Sequence, residues 1–220
     1  LVGSEMCIRD RVKGIDISNG KVVGLQTTKG SVKVDKVGLV PAGHSSVLAD
    51  MAGFTLPINS VPLQALVSEP IKPILDCVIM SNSVHVYVSQ SDKGELVVGA
   101  GSDAYNSYSQ RGSFDMIEHM MAPLVELFPI FSRLKMLRSW GGIVDVTPDR
   151  SPIIGKTPVK DLFINCGWGT GGFKATPGSA HVFAETVSKG EPNDIAAPFS
   201  LDRHYSGALV DEAAAAAVAH

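Results

Sequence analysis

A chain of 220 residues, 45% of them hydrophobic, can bury a sizeable core as one large domain or two small ones, and its composition excludes a disordered protein. Its net charge of −3, with no cluster of Lys or Arg, leaves no electrostatic footprint for nucleic acid or an anionic membrane surface. No apolar run approaches the roughly 20 residues of a spanning helix.

The N-terminus carries no apolar leader, so the expectation is a cytoplasmic protein. Cys7, Cys77 and Cys166 form neither a disulfide framework nor a CxxC metal pair; they read as free thiols, and no metal site is expected.

Residues 1–11, LVGSEMCIRDR, have neither two-residue nor helical periodicity and read as a non-native scar. From Val12 the stretch VKGIDISNGKVVGLQTTKGSVKV alternates in short runs broken at Asn19-Gly20 and Lys29-Gly30, which predicts a β-meander with two-residue turns. The strand VGLV then leads into the turn Pro41-Ala42-Gly43. A short helix follows, capped by Ser45 or Ser46 and ended by Gly53. Residues 12–55 form one block.

Between residues 56 and 146, LQALVSE, VHVYVSQ, GELVVGAG and MLRSWGGIVDV are β-rich runs without alternating helices, the pattern of an antiparallel sheet. One helix interrupts them from Ser113. Its apolar face carries Met116, Ile117, Met120, Met121, Leu124, Val125 and Phe128, with Pro123 expected to kink it and Pro129 to stop it. The methionine stripe reads as core packing rather than a cofactor box.

Residues 147–190 contain TPDRSPIIG, the strand DLFINC, a glycine loop and a helix. That helix is predicted to begin with Thr176 as N-cap and Pro177 at its first position, and to end near Lys189-Gly190. Residues 191–220 form a polar tail containing Pro and Ala.

The glycine loop, in NCGWGTGGFKATPG, contains Gly167-x-Gly169-x-x-Gly172, the spacing of a dinucleotide fingerprint. No β-rich run with an acidic residue follows about 20 residues later, as such a unit requires, and Phe173 separates Gly172 from Lys174, which excludes a phosphate loop. What remains is a strand, glycines that admit a flat ligand close to the backbone, and a helix N-terminus whose unpaired amides favour negative charge. The alternative is a plain glycine-rich turn. Lys174, in or beside the first turn, opposes the helix dipole unless an anion compensates.

In order and spacing, VPAGHSSVLADMAG, VVGAGSDAYN, WGGIVDVTPDRSPIIG and NCGWGTGGFKATPGSAHVFA resemble the C-terminal half of heterotetrameric sarcosine oxidase β subunits, flavoprotein amine oxidases of the D-amino-acid-oxidase-like superfamily. The resemblance runs from about Val12 to the end. It implies an α+β / α/β architecture: the C-terminal part of a two-domain flavoprotein oxidase fold. Residues 12–55 and 147–190 would belong to an incomplete FAD-binding domain, and residues 56–146 to an antiparallel substrate or interface domain. The missing N-terminal half would bring the FAD pyrophosphate site and the histidine covalently linked to FMN.

The implied reaction oxidises sarcosine, or a similar N-methyl amino acid, to glycine with FAD as acceptor. Hydrogen peroxide is produced, and the one-carbon unit goes to folate or leaves as formaldehyde. The implied partners are the alpha, gamma and delta subunits.

By the same resemblance, Gly169, Thr170, Gly171, Gly172 and Phe173 contact the flavin, and Lys174 meets the substrate carboxylate and the flavin edge. Ala42 and Gly43 match a turn close to the cofactor, and Val12 the strand that holds adenine. Tyr87 and His85 match a strand over the substrate. At i and i+2 of a strand they share a face, so either positions the amine, or the two form an ordinary sheet-face pair. Val144 and Asp145 stand where many relatives carry an Arg-Pro that grips the carboxylate, so that anchor must come from elsewhere. Other readings are an FAD-dependent oxidase or dehydrogenase of the dimethylglycine or glycine type, and a non-catalytic interaction subunit.

Overall fold

In the computed structural model, which describes residues 10–210, strands β1 (Val12–Ser18), β2 (Lys21–Thr27) and β3 (Gly30–Lys33) form an antiparallel meander. Asn19 and Gly20, at φ 50° and 73°, supply the two left-handed positions that a tight hairpin turn needs. The second turn differs from expectation. Thr27 pairs with Gly30, so the turn residues are Thr28 and Lys29, one position earlier than Lys29-Gly30. The Thr27 hydroxyl donates to the Gly30 carbonyl at 2.9 Å and accepts the Lys29 amide at 3.1 Å. A turn closed by this side chain needs no left-handed pair.

Strand β4 (Val37–Leu39) runs into a short 3-10 turn, Ala42–His44, and helix α1 (Ser45–Met51), which ends before Gly53 at φ +80°. Neither serine caps α1. His44 occupies the cap position, and Ser45, already helical, turns its hydroxyl back to donate to the Ala42 carbonyl at 2.6 Å.

The described chain divides into two compact units, one of residues 10–58 together with 147–210, the other Asn59–Val146. The second unit is built on β5 (Asn59–Pro70). With β6 (Ile79–Ser81), β7 (Val86–Gln90), β8 (Glu95–Ser102) and β9 (Met136–Val146) it forms a sheet of order β6-β7-β8-β5-β9, every neighbouring pair antiparallel.

Helix α2 (Phe114–Leu127) covers one face, where Met120 and Leu124 join Leu66, Val86, Val88, Leu96, Val98 and Phe131 in a buried cluster. The methionine stripe therefore packs a core. The helix runs through Pro123 and stops before Pro129. Its start is tied to the sheet by buried Gln64, whose amide donates to Asp103 and the Ser113 hydroxyl at 3.1 Å and accepts the Ser113 N–H at 2.8 Å.

Back in the first unit, β10 (Ile153–Lys156) and β11 (Leu162–Cys166) are antiparallel, and β11 lies parallel to β4, with Leu162 opposite Val37 and Ile164 opposite Leu39. Alternation along β11 divides its side chains between two layers. Leu162, Ile164 and Cys166 enter a cluster with Ile15, Val22, Ala49 and Leu201. On a separate cluster, Val182 and Phe183 of helix α3 (Gly172–Lys189) pack with Ile154 and Ala196. A last short helix, α4 (Arg203–Ser206), closes the described chain. Among the described residues no helix is long and apolar enough to cross a membrane.

Helix α3 approaches β4 so closely that a Cβ on Gly38 would sit 3.0 Å from a ring carbon of Phe183. Gly38→Val in the full-length protein is expected to lose about 1–3 kcal/mol through overpacking, read as a lower midpoint in thermal or urea unfolding.

Candidate functional site

Because β4 and β11 run parallel, their carboxyl ends lie side by side. From one departs the Ala42-Gly43 turn and from the other the loop Gly167–Gly171, which brings together at one edge the two glycine turns singled out in the sequence. Ligands of open α/β sheets bind at that edge. Ala42 takes a left-handed conformation at φ 47°, as do Gly167 at 75° and Gly169 at 51°. The Gly171 amide donates to the Trp168 carbonyl at 3.0 Å, and the Trp168 indole N–H to Asn165 Oδ1 at 2.6 Å.

Helix α3 begins at Gly172, not after Thr176. Gly171, with φ −87° and ψ −9°, is already near-helical, so the helix starts on the glycines. Pro177 lies inside it, where it removes the one hydrogen bond that its N–H would have made to the Phe173 carbonyl. Thr176 donates its hydroxyl to the Gly172 carbonyl at 3.1 Å instead of capping.

Lys174 thus belongs to the first turn, which has no acidic residue and no side-chain cap. Phe173 is 96% exposed, and Lys174 Cε lies 3.8 Å from where a Cβ on Gly171 would stand. A Cβ on Gly172 would come within 3.1 Å of Trp168 Cβ. Bare glycine backbone, unshared helix amides and a lysine ammonium suit a flat ligand with a negative edge.

Residues 3–186 match the family described as FAD dependent oxidoreductase. The chain belongs to that family. It is 57% identical over 219 residues to the sarcosine oxidase subunit beta of Rhodobacter capsulatus and 56% identical to that of an Arthrobacter species, covering 100% of this chain and 53% and 54% of those proteins. The chain therefore spans about half the length of the curated relatives it matches. Among solved structures it resembles the L-proline dehydrogenase of P. horikoshii, with TM-score 0.83 and 26% identity over 91% of this chain and 55% of that one. The glycine oxidase of Geobacillus kaustophilus shares the fold, with TM-score 0.77 and 23% identity over 89% of this chain and 52% of that one. The bare glycine loop and uncapped α3 fit the flavin that the family name carries.

The remaining expected residues lie on other elements. Val12 opens β1, opposite Thr27. The meander meets the glycine-loop sheet at its other end, where Val22 N–H donates to the Lys160 carbonyl at 3.1 Å. Val12 is thus about 17 Å along the strands from that junction.

His85 is not on a strand. It is an exposed turn residue before β7 with φ 52°, so strand alternation does not put it on one face with Tyr87. Tyr87 is on β7, half-buried, on the face opposite Val86 and Val88. Burial pushes its phenol above the ordinary value.

Tyr87 opens a row that sequence reasoning missed. It is paired with Gly99, Gly99 with Ala65, and Ala65 with Trp140. The Tyr87 ring lies where a Cβ on Gly99 would be, 2.6 Å from its nearest atoms. Further along this face Arg138, stacked on Trp140 at 5.6 Å, joins Val67, Val97 and Glu95 around an open hollow of about 610 Å³. The sequence signal is two aromatics flanking two small residues, and it appears only once strand order is known. Among the described residues no group of three or more His, Cys, Asp or Glu side chains is placed to hold a metal.

Also unforeseen is a buried ion pair between Asp149 and Arg203, both side chains 2% exposed. Burial alone would raise the Asp149 carboxyl. The Arg203 guanidinium and the amides of Val210 and Ser151 outweigh it and hold the carboxyl well below its usual range. His204, its side chain 5% exposed, is held below its ordinary value by burial and by Arg203.

Both shifts are downward, so both groups contribute stability at neutral pH that is lost on acidification, first as pH falls below about 6.5 for His204 and then below about 4 for Asp149. The unfolding midpoint of the full-length protein should fall through these two ranges. Asp149→Asn should flatten the lower one while costing about 3–5 kcal/mol at neutral pH.

Proposed function

We propose that this chain supplies the flavin-ring side of an FAD-dependent amine oxidase acting on sarcosine or a similar N-methyl amino acid. One observation carries the reading: a bare glycine turn feeds an uncapped helix with Lys174 in its first turn, in a chain more than half identical to two sarcosine oxidase β subunits. Bound FAD supplies the acceptor for the hydride equivalent leaving the amine's carbon. The backbone of Gly169, Thr170, Gly171, Gly172 and Phe173 lies along the ring, with Ala42 and Gly43 on the neighbouring strand end. The first amides of α3 face the edge where negative charge gathers, a preorganised dipole that needs no reorganisation. Lys174 holds the substrate carboxylate, taking over the role of the Arg-Pro absent at Val144-Asp145.

In the complete protein, by this reading, a preceding half carries the FAD pyrophosphate site and the histidine bearing covalent FMN. The names of the relatives, which are subunits, support a multi-subunit enzyme; the reading makes it cytoplasmic, with alpha, gamma and delta partners. Glycine and hydrogen peroxide are the products, with the one-carbon unit passed to folate or released as formaldehyde.

The isolated 220 residues should purify colourless and inactive; flavin absorbance in that protein overturns the division of the FAD site. In the complete enzyme, loss of a charge-assisted contact in Lys174→Met should raise KM for sarcosine and slow flavin reduction, each roughly 10- to 100-fold. Unchanged steady-state kinetics would remove Lys174 from the site. Parallel assays with sarcosine, dimethylglycine and glycine decide the substrate.

A further inference from the structure

The buried ion pair is joined to the glycine loop through one residue, Thr147. Arg203 places all its guanidinium donors. Nε donates to Asp149 Oδ2 at 2.7 Å, Nη2 to Asp149 Oδ1 at 3.0 Å and to the Ser151 carbonyl at 2.8 Å, and Nη1 to the carbonyls of Phe199 and Ser200 at 3.0 and 3.1 Å. Asp149 also accepts the amides of Val210 at 3.2 Å and Ser151 at 3.3 Å. The turn between Thr147 and Ser151 is closed by the Arg150 amide on the Thr147 carbonyl at 3.1 Å and by the Thr147 hydroxyl on the Ser151 carbonyl at 2.8 Å. Ser151 thus accepts from Arg203 and Thr147 on one oxygen.

Thr147, 2% exposed, directs its methyl at Gly167. A Cβ on Gly167 would lie 2.7 Å from Thr147 Cγ2, with the Ile153 nitrogen and Pro152 Cα at 3.6 and 3.7 Å. Gly167 is the residue at which the glycine loop leaves β11, in a left-handed conformation at φ 75°.

We propose that Arg203, Asp149 and Thr147 are positioning residues that hold the departure of the glycine loop, and so set where the first turn of α3 and Lys174 point. Stability alone does not require such a device, since well-packed apolar residues commonly replace a buried ion pair without loss. A planar fork with every donor used fixes direction as well as distance. The inference rests on the proposed flavin site only for its functional consequence; the geometric part is testable without flavin.

The test uses the full-length protein. Thr147→Ser removes the methyl beneath Gly167 but keeps the hydroxyl and the ion pair, and Asp149→Asn breaks the fork. In flavin-free protein, amide exchange in the segment 168–174 is expected to quicken roughly tenfold in Thr147→Ser while residues 162–166 keep their protection, and in Asp149→Asn to quicken there by more than the general loss that the broken ion pair causes. With FAD added, the dissociation constant is expected to rise about tenfold and the flavin absorbance maxima to shift. Unchanged exchange at 168–174 in Thr147→Ser overturns the proposal whether or not Asp149→Asn folds. So does a uniform loss of protection over the whole first unit in Thr147→Ser. If the unaltered protein binds no FAD, the flavin reading fails, and the exchange result still decides the positioning role.

Discussion

The parallel pairing of β11 with β4 is the constraint on which the first unit depends. It joins residues from the beginning of the chain to residues near its end, across the whole of the second unit, and it does so with three register pairs. Parallel strands cannot be linked by a hairpin and need covering on both faces. Here one face takes the core of Val22, Leu39, Ala49 and Leu201, and the other takes α3. The same pairing places two independent glycine turns at one edge. Loss of it would leave a meander, a loop and a helix with nothing to align them.

Around that pairing, small residues decide the close approaches. Gly38 lets Phe183 lie on the strand, Gly167 clears Thr147, and Gly99 lets Tyr87 lie flat across the second sheet. Each is a place where backbone meets side chain without a Cβ between them. Two buried polar side chains are saturated: Gln64 binds Asp103 and Ser113, and Arg203 binds one carboxylate and three carbonyls. These two networks lie in different units, and each fixes the start of a segment rather than filling a core.

Much of this was legible in the sequence, because periodicity is local. The meander, the antiparallel sheet and the amphipathic α2 declare themselves within a few residues, and so do the strand, glycine loop and helix of the candidate site. Errors arose where two local signals competed. Thr176-Pro177 is a good helix start, but Gly171 and Gly172 are free to start it earlier, and one lost backbone bond near the start of an 18-residue helix is tolerated. His85 continues an alternating pattern, yet its left-handed backbone takes it off the strand. The Asp149–Arg203 pair spans 54 positions, and the row from Tyr87 to Trp140 crosses four strands. Neither has any local signature.

Phe173 is almost wholly in water, on the first turn of a helix whose neighbours are glycines. A bare phenyl ring there is stored binding free energy: whatever covers it gains about 1.5–3 kcal/mol from removing that surface from water. Its covering would leave a calorimetric mark distinct from that of the Lys174 ammonium, a negative change in heat capacity that is insensitive to ionic strength. A hydrophobic and a charged side chain therefore sit on adjacent residues, and temperature and salt would separate their contributions to any contact made here.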